Sequence, residues 1–148
     1  MEIHIFSKRN KLIASLISQL RNKDTKPEQF RLLLRRLGMF FGYEIANLLE
    51  YRNVTITTPM NVPYTGLEQE SNVLIVSSFE DADYFAAGIG DIFSNSVFGK
   101  IEAPRRFTEG KWRAPVQRVE FPRNIPKNCD VVIAKTILAS GCTATSLI

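Results

Sequence analysis

A run of small residues near the carboxyl end of the chain has the composition of a phosphate-binding loop. It consists of Ser140, Gly141, Cys142 and Thr143. The apolar, mostly β-branched residues 131–134 precede it, which predicts a central strand followed by a tight turn into a helix. Small side chains leave backbone N–H groups free to bind an anion where that helix begins. The run is therefore a candidate anion-binding turn, but the alternative, a loop that only connects strand to helix, is the one that we favour.

Lys135 directly follows this predicted strand, at a position where loops of this kind usually carry an acidic residue. Its ammonium group has two candidate roles: a functional cation that replaces a metal ion or binds phosphate, or a surface lysine at a vacated site. The second role is the one that we expect. A nucleophilic role for Cys142 is not expected, because the single histidine, His4, is at the opposite end of the sequence.

Basic and aromatic residues are interleaved in the longest irregular segment, 102–115, which we predict to be a flexible loop. They are Arg105, Arg106, Lys111, Trp112 and Arg113. Such a mixture contacts phosphate groups and stacks on bases in proteins that bind single-stranded nucleic acid. The alternative is that Trp112 only anchors an ordinary loop.

The composition of the chain is that of a globular protein with one domain. It has 148 residues, of which 45% are hydrophobic and 23% charged. The net charge of +4 permits phosphate-bearing partners without identifying one. Two cysteines and one histidine, without metal-ligand spacing, argue against a zinc site. No segment has the hydropathy of a membrane span or a signal peptide, so we expect no membrane contact and a cytoplasmic location.

Hydrophobic periodicity predicts an α/β domain that begins with a helical part. Apolar residues recur at helical intervals in 8–21 and again from Pro27 to Leu48, where Thr25 and Glu28 have the spacing of a capping box. Further along, β-rich runs alternate with a helical segment at 79–92. The predicted strands are 54–57, which leads into a hairpin, 73–76, 97–101, 116–121 and 131–134. We therefore expect a helical part over 1–50 and an α/β core over 51–148.

The order of these segments resembles that of uracil phosphoribosyltransferase, a type I phosphoribosyltransferase that joins uracil to 5-phosphoribosyl-1-pyrophosphate (PRPP). The resemblance covers most of the chain and rests on several short motifs in one order. The first two motifs are the segment 20–25, which precedes a helix, and the pair Tyr43 and Glu44 within that helix. The next two enclose a flexible loop, which begins at 98–101 with Arg105 and ends at Phe121 and Pro122. The last is 131–144, which resembles the PRPP-binding signature. The resemblance implies a partial central parallel sheet flanked by helices.

Two charged positions depart from the family's pattern. The family's signature strand ends in an aspartate and a proline, and the aspartate binds the ribose hydroxyls of PRPP, whereas this chain has Lys135 and Thr136. An ammonium group cannot accept those hydrogen bonds. The family also has a pyrophosphate-binding arginine after the strand that matches 73–76, where this chain has carboxylates in 77–83 and no arginine. We therefore expect PRPP to bind poorly.

The family's uracil pocket is completed by a glycine-rich segment beyond the phosphate loop, and this chain has no such segment there. A core without it leaves apolar surface near 131–134 unless another chain or a rearranged N-terminal arm covers it, and we expect a homologous subunit or a homodimer.

Together these departures favour a non-catalytic phosphoribosyltransferase-like protein that needs no cofactor. Its expected partner is RNA, a ribonucleoprotein such as the ribosome, or a nucleotide. One alternative is an active uracil phosphoribosyltransferase that another subunit completes and that uses Mg²⁺ and PRPP. Another is a regulatory partner of an intact enzyme. No residue is assigned a catalytic or metal-binding role.

Overall fold

The computed structural model describes residues 10–138 and 141–147. The predicted start of the first helix at residue 8 and the predicted phosphate contact Ser140 lie outside these ranges. The helical elements are α1 Lys11–Arg21, α2 Pro27–Ala46, α3 Phe79–Asp81, a π-helical turn Ala82–Ala86, α4 Ala87–Gly90 and α5 Cys142–Thr145. The strands are β1 Tyr51–Thr57, β2 Pro63–Gln69, β3 Asn72–Ser78, β4 Ser96–Glu102, β5 Arg106–Thr108, β6 Lys111–Arg113, β7 Arg118–Glu120 and β8 Cys129–Ala134.

A four-stranded sheet in the order β7-β4-β3-β8 forms the centre of the fold. β3 pairs in parallel with both β4 and β8, and β7 pairs antiparallel with β4. The apolar run of β3 is covered on both faces, since Val73 and Ile75 on one face and Leu74 and Val76 on the other are all buried. The predicted α/β class with a partial parallel sheet is therefore confirmed. None of the described helices combines the length and hydropathy needed to span a membrane.

The last strand differs from its prediction as a central strand. Within the described residues β8 pairs only with β3, so it is an edge strand. Ala134 faces the core, whereas Val131 on the opposite face is 59% exposed. An apolar, β-branched run fits a central strand and an edge strand with one covered face equally well, which is why its composition was misleading.

The helix starts follow two different local signals. Asn10 caps α1, because its side-chain oxygen accepts hydrogen bonds from the N–H groups of Leu12 and Ile13 at 3.0 and 3.3 Å. α2 begins at Pro27 as predicted, but the predicted capping box is wrong, because the hydroxyl of Thr25 donates to the carbonyl of Gln19 at 2.7 Å.

Two hairpins accompany the sheet. β1 and β2 form the hairpin predicted from the 54–57 run. The second hairpin, β5 and β6, lies inside 102–115, which was predicted to be irregular. Strands of three residues are too short for their alternation to be recognised in the sequence.

Small residues let α2 approach the segment after β3 very closely. A β-carbon at Gly38 would overlap the carbonyl oxygen of Phe85, and one at Gly88 would overlap the carbonyl oxygen of Arg35. Beside this contact, the rings of Phe41 and Phe85 meet edge to face with centroids 5.7 Å apart. The contact fixes α2 beside the carboxyl edge of the sheet.

We predict that Gly38→Ala lowers the free energy of unfolding by about 1–3 kcal/mol, because the added methyl group forces the two backbones apart. An alanine in an open helix position would instead be stabilising by up to about 1 kcal/mol. Urea denaturation measures the difference, with Arg36→Ala on the exposed face of the same helix as the control. A Gly38→Ala protein as stable as the control would contradict the close contact.

Candidate functional site

The carboxyl ends of β3 and β8 lie side by side and bring polar groups together. Ser77 of β3 is in register with Ala134 of β8, so Ser78 and Lys135 leave the sheet at the same edge. α3 starts directly after β3 and returns Asp81 to this edge. In open α/β sheets, ligands bind outside the carboxyl ends of the strands.

Asp81 is the centre of this polar group. Its Oδ2 accepts hydrogen bonds from Lys135 Nζ at 2.5 Å and from Ser78 Oγ at 2.8 Å, while its Oδ1 accepts one from the hydroxyl of Thr136. Lys135 Nζ also lies 3.2 Å from Ser78 Oγ, and 3.9 Å from the exposed carboxylate of Glu80. The side chain of Asp81 is 6% exposed and that of Lys135 is 14% exposed. The two residues therefore form a buried, hydrogen-bonded ion pair.

Burial would raise the pKa of the Asp81 carboxyl group, because it disfavours the charged form. The hydrogen bonds from Lys135, Thr136 and Ser78, together with the charge of Lys135, outweigh burial and hold that pKa below its ordinary value. Asp81 is thus an ionised carboxylate near neutral pH, and both of its oxygens already accept hydrogen bonds.

A cleft with a volume of about 1120 Å³ opens above this ion pair. Its apolar wall comes from one face of α2 and the end of α1, namely Ile17, Leu20, Phe30, Leu34, Leu37 and Phe41. Its polar floor consists of Ser78, Asp81, Lys135 and Thr136. The cleft therefore offers an apolar surface opposite a polar one.

The structure brings part of the predicted site into this cleft. Gly141, Thr143 and Arg105 line it together with Lys135. Gly141 has a φ of +77°, a backbone conformation that favours glycine, and this turn leads into the single turn of α5. Cys142 instead packs against a core cluster.

The rest of the predicted site lies elsewhere. Of the five residues of 102–115 that were predicted as phosphate or nucleic-acid contacts, only Arg105 lines the cleft, and the other four lie on the β5–β6 hairpin. They are Arg106, Lys111, Trp112 and Arg113.

The expectation that Lys135 is a surface lysine at a vacated site is wrong, because its partner Asp81 holds it in the buried floor. The sequence contained a signal for this pair, since the carboxylates of 77–83 and Lys135 follow two strands of the predicted sheet. What was missing was the knowledge that β3 and β8 are neighbours. The apolar wall was missed because the same 3.6-residue periodicity describes a helix face that packs in a core.

We predict that Lys135→Met lowers the free energy of unfolding by about 3–5 kcal/mol, because it leaves the Asp81 carboxylate buried without its counter-charge. Adding Asp81→Asn to the same protein should recover part of this loss. Urea denaturation of the single and double variants measures the coupling. The control is Arg52→Met, which breaks an exposed pair with Glu68 and should cost at most about 1 kcal/mol. Equal losses for Lys135→Met and the control would contradict the buried pair.

The depressed pKa of Asp81 also predicts an acid dependence of stability. A carboxylate whose folded-state pKa lies below its unfolded value of about 4 stabilises the fold above that pH, and the contribution is lost as the pH falls through the folded pKa. The free energy of unfolding of the wild-type protein should therefore fall more steeply below about pH 4 than that of Asp81→Asn. Denaturation series at several pH values test this, and parallel curves for the two proteins would refute it.

Comparisons with known proteins place this chain in a family. A family model described as uracil phosphoribosyltransferase matches residues 7–148. The curated uracil phosphoribosyltransferase of Sulfolobus acidocaldarius is 28% identical over 97% of this chain and 68% of its own length. Those of Sulfurisphaera tokodaii and Pyrococcus furiosus are 32% and 27% identical, over 86% and 88% of this chain. This chain covers 62% and 56% of their lengths, so it spans between about half and two thirds of these relatives.

The fold itself is matched by a solved structure, that of the AQ2163 protein from Aquifex aeolicus. The match has a TM-score of 0.79 at 19% identity and covers 99% of this chain and 66% of the other. This likeness concerns the fold alone. The family model over 7–148 and the curated relatives establish that this chain belongs to the uracil phosphoribosyltransferase family.

Proposed function

We propose that this protein binds a nucleotide in the cleft but does not, as a single chain, transfer phosphoribose from PRPP to uracil. The observation that carries the proposal is the ion pair of Lys135 and Asp81. Lys135 stands where the family resemblance leads us to expect an aspartate, and Asp81 lies in the segment where it leads us to expect an arginine for PRPP. The two charges neutralise each other.

The ion pair removes the contacts that PRPP needs. Lys135 cannot accept hydrogen bonds from the ribose hydroxyls, and one lost charge-assisted hydrogen bond costs about 1.5–3 kcal/mol. The pair carries no net charge, so it provides no attraction for the several negative charges of PRPP. Asp81 does not fit Mg²⁺ either, because its oxygens already accept three hydrogen bonds and Lys135 Nζ lies 2.5 Å from Oδ2.

A nucleoside monophosphate makes smaller demands on the same cleft. Its base suits the apolar wall of α2, and its single phosphate needs only one cation, such as Arg21 or Arg105 in the lining. Ribose hydroxyl groups both accept and donate hydrogen bonds, so Lys135 is a possible donor to a sugar, and the hydroxyl oxygen of Thr136, whose hydrogen goes to Asp81, is a possible acceptor. A nucleotide is therefore the ligand class that we favour.

The comparisons support the enzymatic alternative more directly than they support RNA binding, because the curated relatives are named for the uracil phosphoribosyltransferase reaction. In this alternative another subunit supplies the missing PRPP contacts, and Mg²⁺ and PRPP are required. A regulatory role is a further alternative, in which this chain binds a nucleotide without catalysis and an intact enzyme beside it carries out the reaction.

An assay for the formation of uridine monophosphate from uracil and PRPP, with Mg²⁺ present, distinguishes the non-catalytic proposal from the enzymatic alternative. We expect no product above the protein-free control, together with saturable binding of uridine monophosphate in a calorimetric titration. Turnover by the purified chain would refute the non-catalytic proposal and establish the enzyme. Absence of both turnover and nucleotide binding would refute the assignment of the cleft.

We further predict that exchanging the two charges, in Lys135→Asp with Asp81→Lys, raises the affinity for PRPP about 10–100-fold, because it restores an acceptor for the ribose hydroxyls. The uncharged double variant Lys135→Met with Asp81→Asn is the matched control and should show no such gain. Titration of PRPP measures both, after denaturation has shown that both variants are folded. Equal PRPP affinity in the two variants would show that the pair does not control binding.

A further inference from the structure

We propose that the β5–β6 hairpin binds single-stranded RNA, with bases stacked on one face and phosphates held on the other. This inference concerns the hairpin, which meets the cleft only at Arg105, and it does not require that the cleft bind a nucleotide. It rests on the register of the hairpin, the contacts of its rings, the arrangement of its charges and the way its base is anchored.

The register of the hairpin separates its aromatic side chains from most of its cations. Phe107 is opposite Trp112, while Arg106 is opposite Arg113 and Thr108 is opposite Lys111. Because successive side chains in a strand point to opposite faces, the aromatic pair lies on one face. The cations of Arg106, Lys111 and Arg113 lie on the other. A ribbon of six strand residues thus has two chemically distinct faces.

The aromatic face is an exposed platform. Phe107 and Trp112 meet edge to face with centroids 5.2 Å apart, yet they remain 62% and 49% exposed. The guanidinium of Arg105 lies 4.8 Å from the centroid of the Trp112 ring and extends the platform. Unpaired bases stack on aromatic rings and on guanidinium planes of this kind.

The basic face has more positive charge than the hairpin neutralises. Arg113 forms an exposed ion pair with Glu109 at 3.2 Å. For Arg106 and Lys111, the described part of the chain provides no carboxylate partner. Like charges directly opposite each other, as Arg106 and Arg113 are, destabilise an antiparallel pair. A polyanion bound along this face would relieve that repulsion.

The hairpin is held in place at its base and shaped at its tip. Ala103 and Ala114, which flank it, are buried in a cluster with Ile101 and Leu147. Ser146 Oγ donates a hydrogen bond to the carbonyl of Ala114 at 2.6 Å, which ties the hairpin to the end of α5. At the tip, Glu109 and Gly110 have φ of +53° and +74°, as in the two-residue turns that match the twist of a β-ribbon. The platform is therefore pre-organised.

The two faces together favour a single-stranded nucleic acid over other polyanions. An acidic peptide or a duplex engages the cations but presents no free base to Trp112 and Phe107. Unpaired bases are most often found in RNA, where loops and ends are the usual targets of sequence recognition.

The test measures the binding of a labelled oligouridylate of about 12 nucleotides by fluorescence anisotropy. Saturating uridine monophosphate is present throughout to block the cleft. We expect Trp112→Ala to weaken binding about 5- to 50-fold, as loss of one or two stacked bases does. Arg106→Gln with Lys111→Gln should reduce the slope of log affinity against log salt by about 0.7 for each lost phosphate contact. Trp112 is the chain's one tryptophan, so quenching of its fluorescence by the unlabelled strand reports stacking directly.

Tyr64→Ala, at an exposed aromatic position of the β1–β2 hairpin, and Lys23→Gln are the matched controls and should leave the affinity unchanged. Equal affinities of Trp112→Ala and Tyr64→Ala would overturn the stacking platform, as would absence of quenching in the wild-type protein. Competition by polyglutamate or by an RNA duplex as strong as that by the single strand would overturn the choice of partner. An oligodeoxythymidylate that binds as tightly as the RNA would overturn the choice of RNA.

Discussion

The parallel pairing of β3 with both β4 and β8 is the constraint on which the rest of the structure depends. Parallel neighbours end at the same edge of a sheet, so the polar residues that follow β3 and β8 are brought together there. The segment after β3 must turn back at that edge, which places Asp81 beside Lys135. α2, held close by Gly38 and Gly88, then covers the edge and forms the apolar wall of the cleft.

Charge is distributed unevenly between the two candidate surfaces. The cleft is lined by three cationic residues, Arg21, Arg105 and Lys135, and by three acidic ones, Glu80, Asp81 and Glu102. The hairpin, by contrast, has several cations on one small ribbon and a single acidic residue at its tip. A neutral cleft selects its ligand by shape and hydrogen bonding, whereas a basic ribbon attracts anions at longer range and depends on salt. The two surfaces therefore suit ligands of different charge density.

Much of the fold was predictable from the sequence, and the details of the site were not. The periodicity of 27–48 and the apolar run of 73–76 predicted α2 and β3, because both signals are local. The motif order was enough to indicate the family. The ion pair joins residues 54 positions apart, and its prediction requires the strand order as well as the sequence. The β5–β6 hairpin was not predicted because its strands are short. Gly110, which lies between the paired residues Phe107 and Trp112, was the residue in the sequence that indicated a turn.

The ion pair also constrains how the sequence of this chain can change at these two positions. Replacing either Lys135 or Asp81 alone leaves the other charge in a buried floor, where an uncompensated charge is strongly destabilising. A protein with a narrow stability margin tolerates such an intermediate poorly. Substitutions made one at a time therefore meet a stability barrier when they lead away from this pair. Folding stability therefore preserves the pair of Lys135 and Asp81, even without selection for binding of any ligand.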